Sequence, residues 1–146
     1  MKIYVASSWR NIIQPTVVEK LKAEGFDVYD FRHPTDNDNG FRWSDIDKNW
    51  ESWTPEEFAK KLRHPIAEDG YNKDMLALNL ADIVVMVMPC GRSAHLELGY
   101  AVGRMKKTAI LLCNGEPELM YRMATNIFTE IPSLISWVKK QAEAQK

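Results

Sequence analysis

Residues 81–105 read ADIVVMVMPCGRSAHLELGYAVGRM, and this stretch decides the fold. Positions 82–88 are almost continuously apolar and rich in β-branched residues, which is typical of a strand buried on both faces of a parallel sheet. The Pro-Cys-Gly sequence at 89–91 ends this run, and Ser93 is a favourable helix N-cap. Apolar side chains then recur at helical spacing at Ala94, Leu98, Ala101, Val102 and Met105. The stretch therefore predicts a strand, a tight loop and a helix.

A polar cluster of Arg92, Ser93, His95 and Glu97 lies at the junction of this strand and helix. In an open parallel sheet, such a junction lies at the carboxyl edge of the strands, where these folds bind ligands. Glu97 falls in the first predicted helical turn, where backbone N–H groups and the helix dipole favour the ionised carboxylate. An ionised carboxylate above a pocket can act as a nucleophile, but an acidic first-turn residue is also ordinary capping chemistry. Both interpretations of Glu97 stay open at this point.

A second candidate ligand site follows the first predicted strand, Lys2–Ala6. Ser7, Ser8 and Arg10 come directly after it, and a helix then leads to a second predicted strand at 27–31. Two strands joined by a helix predict a right-handed crossover and parallel pairing. Hydroxyl and guanidinium groups beside free backbone N–H groups can bind a phosphate or a sugar, although serines here could equally cap the helix. The glycine patterns of dinucleotide-binding and P-loop motifs are absent from the sequence.

The rest of the chain continues the alternation of strands and helices. The predicted elements are a helix at 66–80, a strand at 108–113, a weak strand at 126–129 and a terminal helix at 132–144. Five β/α units predict an α/β fold with a five-stranded, parallel, doubly wound sheet in the flavodoxin-like order 2-1-3-4-5. At the switch point between strands one and three, the two candidate turns at 7–10 and 91–97 face each other. Both turns are therefore predicted to belong to one site.

Residues 33–64 interrupt this alternation after the second strand. The segment begins polar and turn-rich and then carries the aromatic residues Phe41, Trp43, Trp50 and Trp53. Thr54 and Glu57 form a capping box, which predicts a short helix to about Arg63. Three interpretations of this aromatic-rich insertion stay open: a flap that stacks on a planar base, a satellite cluster over one sheet edge, or a subunit contact.

Composition excludes several classes of protein. The chain has 146 residues, which predicts a single domain over 1–146, and its net charge of −1 gives no support for nucleic-acid binding, which needs a basic face. No run approaches the roughly 18 apolar residues of a membrane span, and the N-terminus is typical of a strand rather than a secretory signal. Cys90 and Cys113 have no metal or redox spacing, so free thiols in a reducing cytoplasm are expected.

Several of these motifs together resemble the nucleoside 2-deoxyribosyltransferase superfamily, which also contains the 2′-deoxynucleoside 5′-monophosphate N-glycosidases. The resemblance rests on YVASS at 4–8, ADIVV at 81–85 and GRSAHLELGYA at 91–101, together with an aspartate in the helix before the third strand. In that superfamily the glutamate before Leu-Gly attacks the anomeric carbon. The resemblance therefore implies that Glu97 is the nucleophile, that Asp74 acts beside it on the sugar or leaving base, and that Tyr4 orients it.

The implied activity is cleavage of the N-glycosidic bond of a nucleoside or nucleoside 5′-monophosphate, or exchange of its base, without a metal or other cofactor. Such cleavage passes through an oxocarbenium-like state that a carboxylate can stabilise or trap, while a second carboxyl protonates the leaving base. The predicted substrate-binding residues are Ser7, Ser8, Arg10, Gly91, Arg92 and Ser93. Their hydroxyl and guanidinium groups favour a 5′-phosphate, although the two arginines could instead form surface salt bridges.

Other functional interpretations also stay open. The chain could be a nucleotide-binding sensor without turnover, or an N-glycohydrolase of a nicotinamide dinucleotide. His95 either contacts a phosphate or lies on the helix surface. The resemblance and the aromatic segment imply a homo-oligomer, a dimer or larger, acting in the cytoplasm on a small molecule, with no nucleic-acid or membrane partner. The segment 33–64 has no counterpart in the short loop of the superfamily, which points to a different selection of substrate.

Overall fold

The computed structural model describes residues 1–144, and positions 145–146 of the predicted domain lie outside them. The strands are β1 (Lys2–Ala6), β2 (Asp27–Asp30), β3 (Ile83–Val87), β4 (Lys107–Leu111) and β5 (Asn126–Phe128). The α-helices are α1 (Gln14–Ala23), α2 (Pro55–Lys61), α3 (Pro65–Leu80), α4 (Arg92–Gly103) and α5 (Ile131–Glu143). Short 3-10 helices lie at Trp43–Asp45, Trp50–Ser52 and Leu119–Met123.

All five strands form one parallel sheet in the order β2-β1-β3-β4-β5, which confirms the predicted fold. The central strand β3 is buried along its whole length, as its continuous apolar sequence predicts. β1 pairs with β2 on one side and with β3 on the other, so its end lies between the two candidate turns. This position is the topological switch point of the fold.

Alternating side chains of β1 pack into the two layers that cover the sheet. Ile3 and Val5 belong to the core beneath α1 and α5, whereas Tyr4 and Ala6 belong to the core beneath α3 and α4. The alternation follows from the two-residue period of a strand. It places the Tyr4 side chain on the same face of the sheet as the helices that carry Asp74 and Glu97.

Helix α4 begins earlier than the sequence predicts. Its N-cap is Gly91 rather than Ser93, because Gly91 has the extended backbone that a cap requires while Arg92 and Ser93 are already helical. Glu97 is consequently the sixth residue of the helix and lies in its second turn. The interpretation of Glu97 as a first-turn capping carboxylate is therefore wrong.

Residues 33–64 add no strand to the sheet, and the predicted capping box is confirmed. The Thr54 side chain accepts a hydrogen bond from the Glu57 backbone N–H, and the Glu57 carboxylate accepts one from the Thr54 backbone N–H. The short helix α2 follows. Within residues 1–144, no helix combines the length and apolar character needed to cross a membrane.

Candidate active site

A cavity of about 640 Å³ opens at the carboxyl ends of β1 and β3. Glu97 and Asp74 line it, as do all of the predicted substrate-binding residues, namely Ser7, Ser8, Arg10, Gly91, Arg92 and Ser93. Tyr4 does not line the cavity; its side chain is fully buried in the core, close enough to Glu97 and Asp74 for their charges to act on its hydroxyl. The structure thus brings the predicted site residues of three separate segments, 7–10, 74 and 91–97, to one cavity.

The Glu97 carboxyl is largely withdrawn from solvent. Burial and, to a smaller extent, the nearby Asp74 carboxylate raise its pKa from 4.5 to about 7, while the Tyr4 hydroxyl acts in the opposite direction. Burial thus opposes the ionised form that the helix dipole was expected to favour, and Glu97 lies in the second turn, where the dipole acts less strongly. A carboxyl with a pKa near neutrality in a cavity is a common feature of catalytic sites.

The Tyr4 hydroxyl is buried and, among residues 1–144, makes no hydrogen bond of ordinary geometry. Burial and the negative charges of Glu97 and Asp74 raise the pKa of this hydroxyl, so it stays protonated at neutral pH. A protonated hydroxyl near Glu97 can donate to the ionised carboxylate and stabilise it. This arrangement is compatible with the orienting role that the resemblance implies for Tyr4.

Asp74 has a tyrosine partner that sequence reasoning missed. The Tyr29 hydroxyl donates a hydrogen bond to Asp74 Oδ1 at 2.8 Å, and the Tyr29 ring stacks on the Tyr4 ring with a centroid distance of 5.2 Å. Burial raises the pKa of Asp74, while the hydrogen bond from Tyr29 lowers it. Tyr29 pairs directly with Tyr4 in the β1–β2 register. Its position in the predicted second strand, beside the strand that carries Tyr4, was the only sequence feature that could have pointed to a place near the site.

The turn after β1 is fixed by hydrogen bonds to neighbouring strands. The Ser7 hydroxyl donates to the Val87 carbonyl at 2.8 Å, which gives Ser7 a structural role at the end of β3. Asn11, another residue that the sequence did not reveal, accepts hydrogen bonds at Oδ1 from the Ile13 and Gln14 backbone N–H groups at the start of α1 and donates through Nδ2 to the Val87 and Pro89 carbonyls. The first turn and the loop after β3 are therefore held together directly.

Three arginines, Arg10, Arg42 and Arg92, also line the cavity. None of them forms an ion pair with any carboxylate in residues 1–144, so the salt-bridge interpretation of Arg10 and Arg92 is wrong for this part of the chain. The Arg42 guanidinium lies over the Trp9 ring at 4.3 Å from its centroid. Guanidinium groups without carboxylate partners are suited to binding an anionic ligand.

His95 points away from this cavity. One ring nitrogen, Nδ1, is 2.7 Å from the Gly91 carbonyl oxygen, and the other, Nε2, is 2.8 Å from the Tyr121 hydroxyl. Its ring stacks on that of Tyr121 and lines a separate cavity, so the proposed contact with a phosphate is not supported. The neighbouring Cys90 thiol has a pKa raised to about 11 by burial and by Glu97, so it stays protonated at neutral pH.

The aromatic side chains of residues 33–64 form a cluster that reaches the cavity. Trp43 makes edge-to-face contacts with Phe41, Trp53 and Phe58 at centroid distances of 4.7, 5.8 and 5.4 Å. Phe41, Trp43 and Trp50 line the cavity, and we call these three side chains the aromatic wall. Trp53 belongs to the same cluster but does not line the cavity. The segment thus forms an aromatic cluster of its own, and part of this cluster borders the cavity.

The class of protein is defined by this fold and cavity: a doubly wound α/β domain with two partly buried carboxyl groups at its switch point. No family model and no curated protein matches the chain. Its fold is similar to that of a 2-deoxyribosyltransferase from Bacillus psychrosaccharolyticus, with a TM-score of 0.66 and 17% identity over 92% of this chain and 90% of that one.

The chain is also similar to the CMP N-glycosidase BcmB of Clostridium botulinum, with a TM-score of 0.50 and 16% identity over 95% of this chain and 98% of that one. These two neighbours confirm, at the level of the fold, the resemblance that the sequence motifs predict. At such low identity the similarity concerns the fold, and the roles of individual residues have to be argued from the site itself. Among residues 1–144, no group of histidine, cysteine and carboxylate side chains could hold a metal ion.

Proposed function

We propose that this protein cleaves the N-glycosidic bond of a nucleoside 5′-monophosphate, with Glu97 as nucleophile and Asp74 as general acid. The observation that carries the proposal is the pair of carboxyl groups facing one cavity, both with pKa values raised by burial. Two neighbouring carboxylates repel each other when both are ionised, which destabilises the folded protein, and a purely structural role would not require such a pair. Glycosidic cleavage uses such a pair in separate roles.

In the first step, an ionised Glu97 oxygen forms a bond to the anomeric carbon while the bond from that carbon to the base nitrogen breaks. The bonding electrons leave with the base, and the Asp74 carboxyl transfers its proton to the base. Water then attacks the anomeric carbon, releases Glu97 and passes a proton to the Asp74 carboxylate. If a second base replaces water, the same intermediate gives base exchange.

Burial raises the pKa of both carboxyl groups, and the proposed reaction uses the form of the pair in which Glu97 is ionised and Asp74 holds the proton. The protonated Tyr4 hydroxyl favours the ionised form of Glu97, and a pKa of about 7 leaves a substantial ionised fraction of Glu97 at neutral pH. Tyr29 occupies Asp74 Oδ1, which leaves Oδ2 available for the leaving base. Because the two carboxyl groups interact, their titration belongs to the pair, and only one of them need be ionised at a time.

The arginines support a phosphorylated substrate. Arg10 and Arg92 line the cavity with Ser93 and the start of the twelve-residue helix α4, whose backbone N–H groups favour an anion. A bare 5′-hydroxyl would leave these two guanidinium groups without a charged partner, whereas a phosphate can accept bidentate hydrogen bonds from them. One structural neighbour is a CMP N-glycosidase, which is consistent with this preference.

The predicted homo-oligomer stays a prediction. Leu119, Met120 and Met123 are exposed beside the separate cavity that His95 and Tyr121 line. Such an apolar surface is compatible with a contact to another copy of the chain.

The test is a direct assay of base release. Purified protein is incubated with deoxynucleosides and deoxynucleoside 5′-monophosphates, with and without a second free base, and released or exchanged bases are separated by chromatography. We expect release from a monophosphate, and we expect Glu97→Ala to lower kcat by roughly a thousandfold or more, because the covalent step is lost. Glu19→Ala, which removes an exposed carboxylate on α1, is the matched control and should retain full turnover.

Full turnover by Glu97→Ala would contradict the proposed mechanism. Binding of a monophosphate without release or exchange of its base would instead support a sensor without turnover. Calorimetry on the same panel of ligands separates that outcome from a failure to bind. Release of nicotinamide from a dinucleotide would point to the third candidate activity.

A further inference from the structure

The aromatic wall has no part in the chemistry proposed above, although it occupies one side of the same cavity. We infer that it binds the planar heterocyclic base of the substrate, with Trp43 as the stacking surface. This inference rests on the proposed function, because it assigns the base end of the same ligand. It concerns a segment that the sequence resemblance does not cover.

The wall is fixed in position rather than held on a free loop. Phe41 packs directly against Gly70 of α3, where an added Cβ would lie only 2.8 Å from the Phe41 Cβ. The Trp9 indole donates a hydrogen bond to the Phe41 carbonyl at 3.2 Å. Gly40 has a positive φ of 71°, and a Cβ there would meet the Phe31 carbonyl at 2.2 Å, so this close approach requires glycine.

The same turn of α3 carries both the attachment of the wall and the proposed acid. Lys73 pairs with Asp38 of the segment at 2.8 Å, and Asp74 is the next residue. Gly70 and Asp74 are four residues apart and hence on one face of the helix. A base that contacts the wall would therefore lie beside the carboxyl group that has to protonate it.

The two ends of the cavity have different chemistry. A small adjoining cavity is lined by Phe41, Gly70 and Asp74, and a different adjoining cavity is lined by Arg10 and Gly91. Phe41 of the wall is thus next to the proposed acid, whereas Arg10 is next to the start of α4, beside Trp9 and the Arg42 guanidinium that lies over its ring. A nucleotide has the matching pattern, with a flat neutral base at one end and an anionic phosphate at the other.

Trp43 is the central ring of the wall. Three other aromatic rings contact it edge to face, and these contacts fix the plane of its indole while part of the ring borders the cavity. A base that stacks on a fixed aromatic ring gains affinity without ordering a mobile side chain. Such stacking changes affinity by between about fivefold and about a hundredfold.

The experiment measures binding by calorimetry in a Glu97→Gln background, which removes the nucleophile. The probes are the four standard deoxynucleoside 5′-monophosphates and 2-deoxyribose 5-phosphate, which lacks a base. We expect Trp43→Leu to weaken the tightest monophosphate at least about fivefold and to leave 2-deoxyribose 5-phosphate within about twofold. Trp43→Phe keeps an aromatic ring and should therefore retain most of the affinity for the monophosphate that Trp43→Leu loses.

Trp137→Leu is the matched control, because Trp137 lies on α5, packs against Phe128 in the other layer of the sheet and does not line the cavity. It should change the affinity for either probe by no more than about twofold. Equal weakening of both probes by Trp43→Leu, or equal effects of Trp43→Leu and Trp137→Leu, would overturn the inference. The inference would also be overturned if the Glu97→Gln protein with Trp43 intact bound the monophosphates no more tightly than 2-deoxyribose 5-phosphate.

The outcomes also separate this inference from the proposed reaction. If Trp43 selectively affects the monophosphates but the unsubstituted protein releases no base, the base site stands and the proposed activity is wrong. If the unsubstituted protein releases base while Trp43→Leu behaves like Trp137→Leu, the activity stands and the base site is wrong. If no monophosphate binds, both are wrong.

Discussion

The sheet edge and the aromatic wall form two sides of one cavity, but the chain builds them differently. At the sheet edge, Glu97 and Tyr4 project from a helix and a strand whose positions follow from regular apolar patterns. The aromatic wall comes from an aperiodic segment that is fixed by a few contacts with α3 and with Trp9. The proposed chemistry thus depends on the regular part of the fold, and the proposed choice of base depends on the irregular part.

The largest effect that separates the two sides is expected from Glu97→Gln, which acts on the sheet edge alone. The pKa of Glu97 is raised from 4.5 to about 7 in the folded protein, so the folded state binds more protons than the unfolded state between these values. Stability is therefore lost as pH rises through this range. Glu97→Gln removes the buried charge and should increase the free energy of unfolding above pH 7 by up to about 3 kcal/mol.

This prediction is checked by urea denaturation of both proteins at pH 5 and pH 8. Near pH 5 the carboxyl is largely protonated in the folded state, so the difference between the two proteins should be small. A stability difference that does not change between the two pH values would show that the Glu97 carboxyl is not titrating in this range.

The next effect is expected from Tyr29→Phe, which keeps the ring stacked on Tyr4 and removes the hydroxyl that holds Asp74. We expect kcat to fall about tenfold, which corresponds to about 1.4 kcal/mol, because the acid loses its orientation. The pKa of Asp74 should rise further, since the hydrogen bond that favours its ionised form is gone. The alkaline limb of the pH–rate profile should consequently move to higher pH.

Tyr71→Phe is the control for this change, because Tyr71 lies on α3 and is largely exposed. It should alter neither kcat nor the profile. A fall in kcat for Tyr29→Phe with an unmoved alkaline limb would mean that Tyr29 supports the fold locally and does not act on the ionisation of Asp74.

The smallest effect is expected from Gly70→Ala, which acts on the aromatic wall alone. The added methyl would meet Phe41, and the resulting overpacking, about 1–3 kcal/mol, should exceed the gain of up to about 1 kcal/mol in helix propensity. We expect a net loss of about 1 kcal/mol in the free energy of unfolding, together with weaker binding of the monophosphate. Denaturation and calorimetry measure the two effects.

Gly103→Ala in α4 is the matched control, because an added Cβ there has no neighbour within 4 Å. It should stabilise the protein by up to about 1 kcal/mol without changing binding. If Gly70→Ala stabilises the protein to the same extent, the wall can move freely and the proposed fixed attachment is wrong.

The difference between the two sides also explains what the sequence could predict. The apolar run of β3 and the compact β1 predicted the parallel sheet and its switch point, and with them the meeting of the turns at 7–10 and 91–97. These features depend on local patterns and on general rules of connection. The start of α4 was predicted two residues too late. Ser93 is a residue type that favours the N-cap position, whereas the extended backbone that makes Gly91 the N-cap depends on the conformation of the preceding loop.

The missed residues share a different cause. Tyr29 meets Asp74 across 45 positions of sequence, and Asn11 meets the end of β3 across 76 and 78 positions. Contacts of this range depend on strand register and helix placement, which a local pattern does not contain. For the same reason the sequence could not choose among the interpretations of the aromatic segment, since its position depends on a contact between Phe41 and a glycine of α3.

Asn11 has a consequence for how the site opens. One side chain accepts hydrogen bonds at the start of α1 and donates hydrogen bonds to the Val87 and Pro89 carbonyl groups, so the start of that helix separates from this loop only when one of the two sets breaks. Local opening at the start of α1 should therefore loosen the loop that leads to α4 as well. The two turns at 7–10 and 91–97 are thus coupled through a single residue, whereas the aromatic wall is coupled to the site through α3 and Trp9.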